Sequence, residues 1–146
     1  MRTSTILATT VSLLSAASAR LSGFAIPETV VPGGQVTIYI TTENYIQSVQ
    51  DVAMSFGIAQ TPSQKTLGTL IGSKFIGKAL SNTLDNVTYH AQIPKNTPKG
   101  KATVTATSYS LYGAALSPTL ENFQVNITVG DKTSSTYIHS ERVYYD

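Results

Sequence analysis

The alternation of apolar and polar side chains constrains the fold of this chain more than any other feature. In the clearest runs every second residue is apolar; they are 36–41, 87–93, 102–107 and 123–129. A period of two places the apolar side chains on one face of a β-strand and the polar ones on the other. Segments that contain proline, glycine or both precede three of these runs. These segments are 32–34, 94–100 and 117–118. The pattern predicts short antiparallel strands, each with one buried face.

Further strands are predicted around Phe24, from Val49 to Ile58, and once or twice between Leu67 and Ile76. The total is then about seven or eight strands, and no stretch sustains a helical repeat through three turns. This number and spacing predict an all-β fold, an immunoglobulin-like antiparallel β-sandwich. A small closed barrel is the alternative.

The first residues have the pattern of a secretory signal peptide. Arg2 precedes an apolar run from Ile6 to Leu14, and Ala17-Ser18-Ala19 supplies small residues before a cleavage point. The apolar run is shorter than the ~20 residues that cross a bilayer. We therefore predict a secreted protein in which residues 1–19 are the signal peptide and residues 20–146 form a single β-sandwich domain.

Charge and cysteine content exclude several classes of function. Ten Lys and Arg residues face eight Asp and Glu residues, and removal of Arg2 with the signal peptide leaves nine against eight. Nucleic acids require clustered basic charge, so we expect no nucleic-acid partner. The chain contains no cysteine. Its stability must therefore come from core burial and backbone pairing, without disulfides, and it has no thiol nucleophile.

The candidates for catalysis are few. His90 and His139 are the two histidines, and no motif brings metal ligands together. Copper oxygenases with a β-sandwich fold use an N-terminal histidine, whereas the predicted mature chain begins at Arg20. The acidic residues are scattered singly, with no pair evidently placed for glycoside hydrolysis. We predict a protein that is not an enzyme and has no metal and no cofactor; a catalytic role is the least favoured alternative.

Two sequons predict N-glycosylation, Asn86-Val87-Thr88 and Asn126-Ile127-Thr128. Both asparagines fall on the polar alternates of their predicted strands, so a glycan could project into water without disturbing the core. The alternative is that both side chains face solvent and remain unmodified.

The last residues, 130–146, are rich in tyrosine. Tyr137, Tyr144 and Tyr145 are of the type enriched at protein interfaces. The favoured alternative is a frayed terminus, or a tail whose aromatic rings pack on the domain's own surface.

The stretch TENYIQSVQDVAMSFG, Thr42 to Gly57, connects two predicted strands, with Asn44 to Ser48 as the connection. Together with Ser110-Leu111-Tyr112-Gly113, Val129 to Ser134 and Ala19 to Gly23, this stretch resembles the necrosis-inducing secreted protein family of fungal effectors. The resemblance covers nearly the whole chain. Its blocks indicate family membership and not a catalytic mechanism.

The resemblance implies a protein of a plant-colonising fungus that suppresses pattern-triggered immunity. Members of the family are similar in binding and inhibiting two host kinases, the immune co-receptor kinase and a receptor-like cytoplasmic kinase, and they can induce cell death. Action on these partners would take place in the host cytoplasm or at the periphery of the host plasma membrane. We expect a monomer with no membrane span.

Loops on a rigid scaffold commonly carry recognition, and tyrosines are frequent interface anchors. The predicted partner-binding residues are Asn44, Tyr45, Gln47, Asp51, Tyr109 and Tyr112. The alternative role of the residues between Asn44 and Asp51 is to cap and turn the chain. An extracellular adhesion or glycan-binding module is the alternative function, because secreted sandwiches often have that role.

Overall fold

The computed structural model describes residues 18–62 and 65–145. Most of the predicted signal peptide, residues 1–17, therefore lies outside the described residues. Ser18 and Ala19, its last two predicted residues, belong to the first strand of the fold. The predicted cleavage after Ala19 stays a prediction.

Two β-sheets make up most of the described structure. The strands are β1 (Ser18–Pro27), β2 (Thr29–Val30), β3 (Gln35–Tyr45), β4 (Val49–Ala59), β5 (Thr69–Phe75), β6 (Val87–Gln92), β7 (Gly100–Tyr112), β8 (Ser117–Val129), β9 (Tyr137–His139) and β10 (Glu141–Val143). A single helical turn, α1 (Gly77–Leu80), follows β5. No described helix is long and apolar enough to cross a membrane.

The first sheet has the strand order β6-β3-β1-β9, and the second has the order β10-β8-β7-β4-β5, with β2 added in parallel to β8. The two sheets pack face to face, which confirms the predicted all-β sandwich. The described residues form ten strands and not seven or eight, because three strands of two or three residues, β2, β9 and β10, are too short to show a period of two. The immunoglobulin-like strand order stays a prediction.

The alternating runs lie where the period of two places them. Val36, Ile38 and Ile40 of β3 are buried, and so are Phe123 and Ile127 of β8. The central strand β7 differs from the expectation on its second face. Its threonines Thr103 and Thr105 were predicted to face water, yet they are 6% and 3% exposed. Strand β7 has β4 on one side and β8 on the other, so both threonines lie between neighbouring strands.

Aromatic side chains from both sheets meet in the middle of the core. The rings of Phe24 in β1 and Phe56 in β4 meet edge to face, with centroids 5.4 Å apart. The ring of Tyr89 in β6 stacks on that of Phe56, with centroids 5.5 Å apart. Such pairs contribute about 0.5 to 1.5 kcal/mol beyond the burial of their area. Phe56 therefore joins the two sheets directly.

The C-terminal residues complete both sheets on the same side of the sandwich. β9 pairs with β1, and β10 pairs with β8. The hydroxyl of Tyr137 donates to the carbonyl oxygen of Thr37 at 3.1 Å, and that of Tyr145 accepts from the side-chain amide of Gln124 at 2.8 Å. These two tyrosines pack on the domain itself, as the favoured alternative for the tail predicted, whereas Tyr144 is 82% exposed.

Truncation of Phe56 tests the inter-sheet core. Phe56→Ala should lower the free energy of unfolding by about 3 to 5 kcal/mol, because it removes a fully buried ring and leaves a cavity. Phe75→Ala is the matched control, since Phe75 is 71% exposed on the neighbouring strand. It should change stability by less than about 0.5 kcal/mol. Urea unfolding measures both, and equal losses would contradict the packing described.

Candidate functional site

The predicted recognition loop lies at one end of the sandwich, where the chain passes from the first sheet to the second. Asn44 and Tyr45 are the last residues of β3, so the connection is residues 46–48 and is shorter than predicted. Ile46 is 94% exposed. The carbonyl oxygen of Ser48 accepts a hydrogen bond of 2.9 Å from the amide of Gly113. This bond holds the loop against the turn between β7 and β8.

Tyr45 and Tyr112 contact each other and are half-buried. Their rings meet edge to face at 5.5 Å, and the guanidinium carbon of Arg20 lies 4.6 Å from the centroid of the Tyr45 ring. The hydroxyl of Tyr112 donates to a carboxylate oxygen of Glu121 at 3.0 Å. Burial, together with the negative charge of Glu121, raises the pKa of Tyr112 to about 12. Both predicted tyrosines thus have partners within the domain.

Four charged side chains join the two sheets beside these tyrosines. Arg20 of β1 lies 2.7 Å from Glu43 of β3, and Arg142 of β10 has its Nε 3.3 Å from Glu121 of β8. The second pair is within ion-pair distance but does not have hydrogen-bond geometry. Cross contacts of 3.7 Å from Arg20 to Glu121 and 3.5 Å from Arg142 to Glu43 link the two pairs. The cluster is neutral, with two arginines and two glutamates.

Asp51 is 1% exposed and faces the interior. Its Oδ1 accepts from the hydroxyl of Ser110 at 2.6 Å, and its Oδ2 lies 3.3 Å from the hydroxyl of Ser81. The amide of Asp51 donates to the same Ser81 oxygen at 2.7 Å. Burial raises the pKa of Asp51, and the charge of Glu121 adds to that rise. A side chain this buried presents almost no area to a partner.

The exposed apolar side chains of the second sheet form a row across four strands. Ala53 of β4 is in register with Phe75 of β5 on one side and with Tyr109 of β7 on the other, and Tyr109 is in register with Leu120 of β8. Phe75, Tyr109 and Leu120 are 71%, 38% and 66% exposed. Three strand spacings make the row about 14 Å long. We call Phe75, Ala53, Tyr109 and Leu120 the apolar row.

A groove of about 480 Å³ lies between the loop, α1 and the turn after β7. It is lined by Ser48, Val49, Gln50, Lys78, Ser81, Asn82, Leu111, Gly113 and Leu116. Leu111 is two residues from Tyr109 on the same strand and therefore shares its outward face. The groove thus extends the apolar row toward the exposed end of the loop. Lys78 is its one charged side chain.

The predicted residues fall into two groups. Asn44, Gln47 and Tyr109 are exposed, whereas Tyr45, Asp51 and Tyr112 make contacts inside the domain. Their role in binding a partner stays a prediction.

The exposed residues Ile46, Phe75 and Leu120 were not among the residues predicted from the sequence. The sequence does carry a signal for an outward-facing Leu120, because this residue falls in the same even-numbered alternation along β8 as Asn122 and Gln124.

The acidic and histidine side chains do not assemble into a metal site. Within residues 18–62 and 65–145, no group of three or more His, Cys, Asp or Glu residues could hold a metal ion. Nδ1 of His90 lies 3.2 Å from the Thr37 hydroxyl, and His139 is on the short strand β9. The absence of enzymatic activity stays a prediction.

Both sequon asparagines are exposed. Asn86 precedes β6 and is not inside it as predicted, since β6 begins at Val87. Asn126 lies on the outward face of β8, where its side-chain oxygen accepts a hydrogen bond of 2.8 Å from the hydroxyl of Thr103. Glycosylation at either position stays a prediction.

Fold and surface define a small all-β sandwich with an exposed apolar row on the outer face of its second sheet. The chain belongs to the Nis1 family, whose family model matches residues 17–128. It is 49% identical over 138 residues to the necrosis-inducing secreted protein 1 of Colletotrichum higginsianum, which covers 93% of this chain and 96% of that protein.

A second relative, the necrosis-inducing secreted protein 1 of Colletotrichum orbiculare, is 45% identical over 139 residues, which covers 94% of this chain and 86% of that protein. The resemblance seen in the sequence is thereby confirmed. The chain is a secreted protein of this family. Strands β9 and β10 lie beyond the residues that the family model matches.

The buried carboxyl of Asp51 predicts a specific dependence of stability on pH. Its folded pKa is raised above the ordinary value of about 3.9, so the folded chain retains a proton there that the unfolded chain releases. The contribution of Asp51 to the free energy of unfolding is therefore fully present below about pH 3.9 and falls as pH rises through the folded pKa.

Asp51→Asn removes this titration and keeps the side-chain shape. Urea unfolding of both proteins from about pH 3.5 to about pH 7 should show wild-type stability decreasing relative to the variant as pH rises. Parallel curves over the whole range would show that the Asp51 carboxyl does not titrate differently in the folded chain.

Proposed function

We propose that this chain is a secreted fungal effector that suppresses pattern-triggered immunity in plants. It binds host immune kinases, the co-receptor kinase and a receptor-like cytoplasmic kinase, and inhibits them by contact and without turnover. At high abundance it induces cell death. Support comes from membership of the Nis1 family and from the two relatives, whose names describe them as necrosis-inducing and secreted.

The main support for a contact mechanism is the apolar row. Large apolar side chains exposed side by side on a rigid sheet commonly indicate a site of protein interaction. Phe75, Tyr109 and Leu120 are exposed although the strands that carry them are firmly paired. Burial of such side chains stabilises a complex by about 25 cal/mol for each Å² of apolar area removed from water.

The loop end supplies a polar border to this surface. Asn44 and Gln47 are exposed next to Ile46, and both can donate and accept hydrogen bonds. A central apolar patch with a polar rim is the usual arrangement of a protein interface. A standard interface covers about 800 Å² on each partner, so we propose that a partner contacts the groove and the loop in addition to the apolar row.

We propose that the remaining predicted residues keep this surface in a fixed shape. Tyr45 and Tyr112 pack together across the loop end, and Asp51 ties β4 to β7 through Ser110. These contacts keep the loop and the end of the apolar row in fixed positions. Binding to a preformed surface avoids the entropy cost of ordering it.

A glycan at Asn126 is compatible with this surface. Asn126 and Leu120 are six residues apart on the same face of β8, which is about 20 Å along an extended strand. A glycan on Asn126 would therefore cover the opposite half of the outer face and leave the apolar row free. We propose that the secreted protein carries N-linked glycans at both sequons, Asn86 and Asn126.

Substitutions in the apolar row test the proposed contact surface. Tyr109→Ser and Leu120→Ser should each weaken binding to a purified immune co-receptor kinase domain by about tenfold or more, because each removes a large apolar anchor. Calorimetric titration measures the affinity, and phosphate transfer to a model substrate is followed in parallel. Inhibition should weaken in proportion to binding.

Tyr39→Ser is the matched control for Tyr109→Ser. Tyr39 is 36% exposed, nearly the same as Tyr109, but it lies on the first sheet. It should leave the affinity unchanged within about twofold. The polar border is tested by Asn44→Ala and Gln47→Ala, with Asn96→Ala at the opposite end of the sandwich as their control.

If Tyr39→Ser and Tyr109→Ser lower the affinity for the kinase domain equally, the contact surface is not the apolar row. If the folded wild-type protein binds neither kinase domain and is retained on plant or fungal wall polysaccharide, the chain is a glycan-binding module and the proposed function is wrong.

Occupancy of the sequons is tested by removing each asparagine. Asn86→Gln and Asn126→Gln, expressed with the full precursor in a fungal host, should each reduce the mass of the secreted protein by one glycan. Treatment with an endoglycosidase should bring all three proteins to nearly the same mass. An unmodified wild-type mass would contradict the proposal at both positions.

A further inference from the structure

We infer that signal peptidase cleaves this chain after Ala17, so that the secreted protein begins with Ser18 and Ala19. Hydrolysis of the Ala17–Ser18 peptide bond by water would leave a carboxylate on Ala17 and an ammonium group on Ser18. The sequence permits this bond as well as the bond after Ala19. Ser15-Ala16-Ala17 has small residues at the required positions, as Ala17-Ser18-Ala19 does.

The fold uses Ala19 as a core residue. Ala19 is 1% exposed, and its amide donates a hydrogen bond of 2.8 Å to Oδ1 of Asn82. It is paired with Asn44 across the first sheet, and Ser18 is paired with Tyr45. Cleavage after Ala19 would remove both pairs, leave an empty space at a buried position and remove the amide from which Oδ1 of Asn82 accepts its hydrogen bond.

Asn82 itself is shaped for this contact. It has a φ of 58°, a left-handed conformation that asparagine adopts more readily than most residues. In this conformation its side-chain oxygen reaches the amide of Ala19 across 63 residues of sequence. A contact between such distant residues, one of them held in an uncommon backbone conformation, indicates that Ala19 is part of the functional fold.

The charge cluster at the same end of the sandwich supports the same terminus. Arg20, Glu43, Glu121 and Arg142 balance one another. An α-amino group has a pKa of about 7.7 to 8.0, so cleavage after Ala19 would place an additional positive charge on Arg20 itself. With Ser18 as the first residue, that charge lies about 7 Å further along the strand.

The consequence reaches the loop end of the molecule. Ser18 and Ala19 pair with Tyr45 and Asn44, the two residues that precede the exposed loop 46–48. The choice of cleavage bond therefore decides whether the end of β3 is an edge or is paired on this side. Cleavage at this bond does not depend on which partner the protein binds.

The test is the N-terminal sequence of the natural product. The full 146-residue chain is expressed in a filamentous fungus, and the secreted protein is purified and sequenced from its N-terminus by stepwise degradation. The expected result is Ser-Ala-Arg-Leu-Ser. A product that begins Arg-Leu-Ser-Gly, or at any other residue, overturns the inference.

Ser15→Leu separates the two bonds without changing a residue of the fold. A large side chain at position 15 blocks cleavage after Ala17 and leaves Ala17-Ser18-Ala19 intact. The variant product should begin at Arg20, and its midpoint of thermal unfolding should be lower than that of the wild type by roughly 3 to 6 °C. If wild type and variant have the same N-terminus, the inference is wrong.

Asn82 provides a second, independent readout. Asn82→Gly tolerates the left-handed backbone but removes the acceptor, so it should lower the midpoint of the chain that begins at Ser18. The same substitution in a chain that begins at Arg20 should have little effect, because the Ala19 amide is absent. Asn82→Asp retains an acceptor and serves as the control. Equal effects of Asn82→Gly in both chains would show that the Ala19 contact contributes nothing.

Discussion

Burial of phenylalanine side chains between two sheets is the interaction on which this structure depends. A chain without cysteine has no covalent constraint on its unfolded state, so folding must be driven by apolar burial and completed by backbone pairing. Phe24, Phe56 and Phe123 are each fully buried. Because Phe24 and Phe56 come from different sheets, their contact fixes the distance between the sheets and so the position of every surface feature on them.

The polar contacts at the loop end refine this arrangement. Arg20 and Glu43 of the first sheet meet Glu121 and Arg142 of the second, and the Tyr45–Tyr112 pair lies beside them. Such partly exposed ion pairs contribute about 1 kcal/mol or less each. Their main effect is to determine how the strand ends meet. The exposed loop and the apolar row are therefore presented on a rigid frame, as a contact surface requires.

The period of two predicted the sheets correctly because it reports a local property of each strand. It identified the buried faces of β3, β6, β7 and β8, and it carries the signal for Leu120. It did not reveal that Asp51, one of the predicted partner-binding residues, is buried. A shift of register between Asp51 and Ala53 reverses the alternation of β4, so Asp51 faces inward with Val49 while Val52 is only half-buried. No pattern in the sequence marks that bulge.

The surroundings of the predicted partner-binding residues were harder to predict, because they depend on contacts between strands. Tyr45 and Tyr112 were predicted to bind a partner; they contact each other although they are distant in sequence, and only the fold reveals this contact. Tyr109, by contrast, is exposed as a member of a row whose other members lie on three different strands. Register between strands, which brought these side chains together, depends on the whole core and cannot be deduced from one strand.

We propose the outer face of the second sheet as the surface through which this family member binds its partner. The most direct measurement is hydroxyl-radical footprinting of the secreted protein, free and in complex with an immune co-receptor kinase domain. We expect Phe75, Tyr109 and Leu120 to be oxidised more slowly in the complex, while Tyr39 on the other sheet is oxidised at the same rate. Protection of Tyr39, with no change along the apolar row, would contradict the proposal.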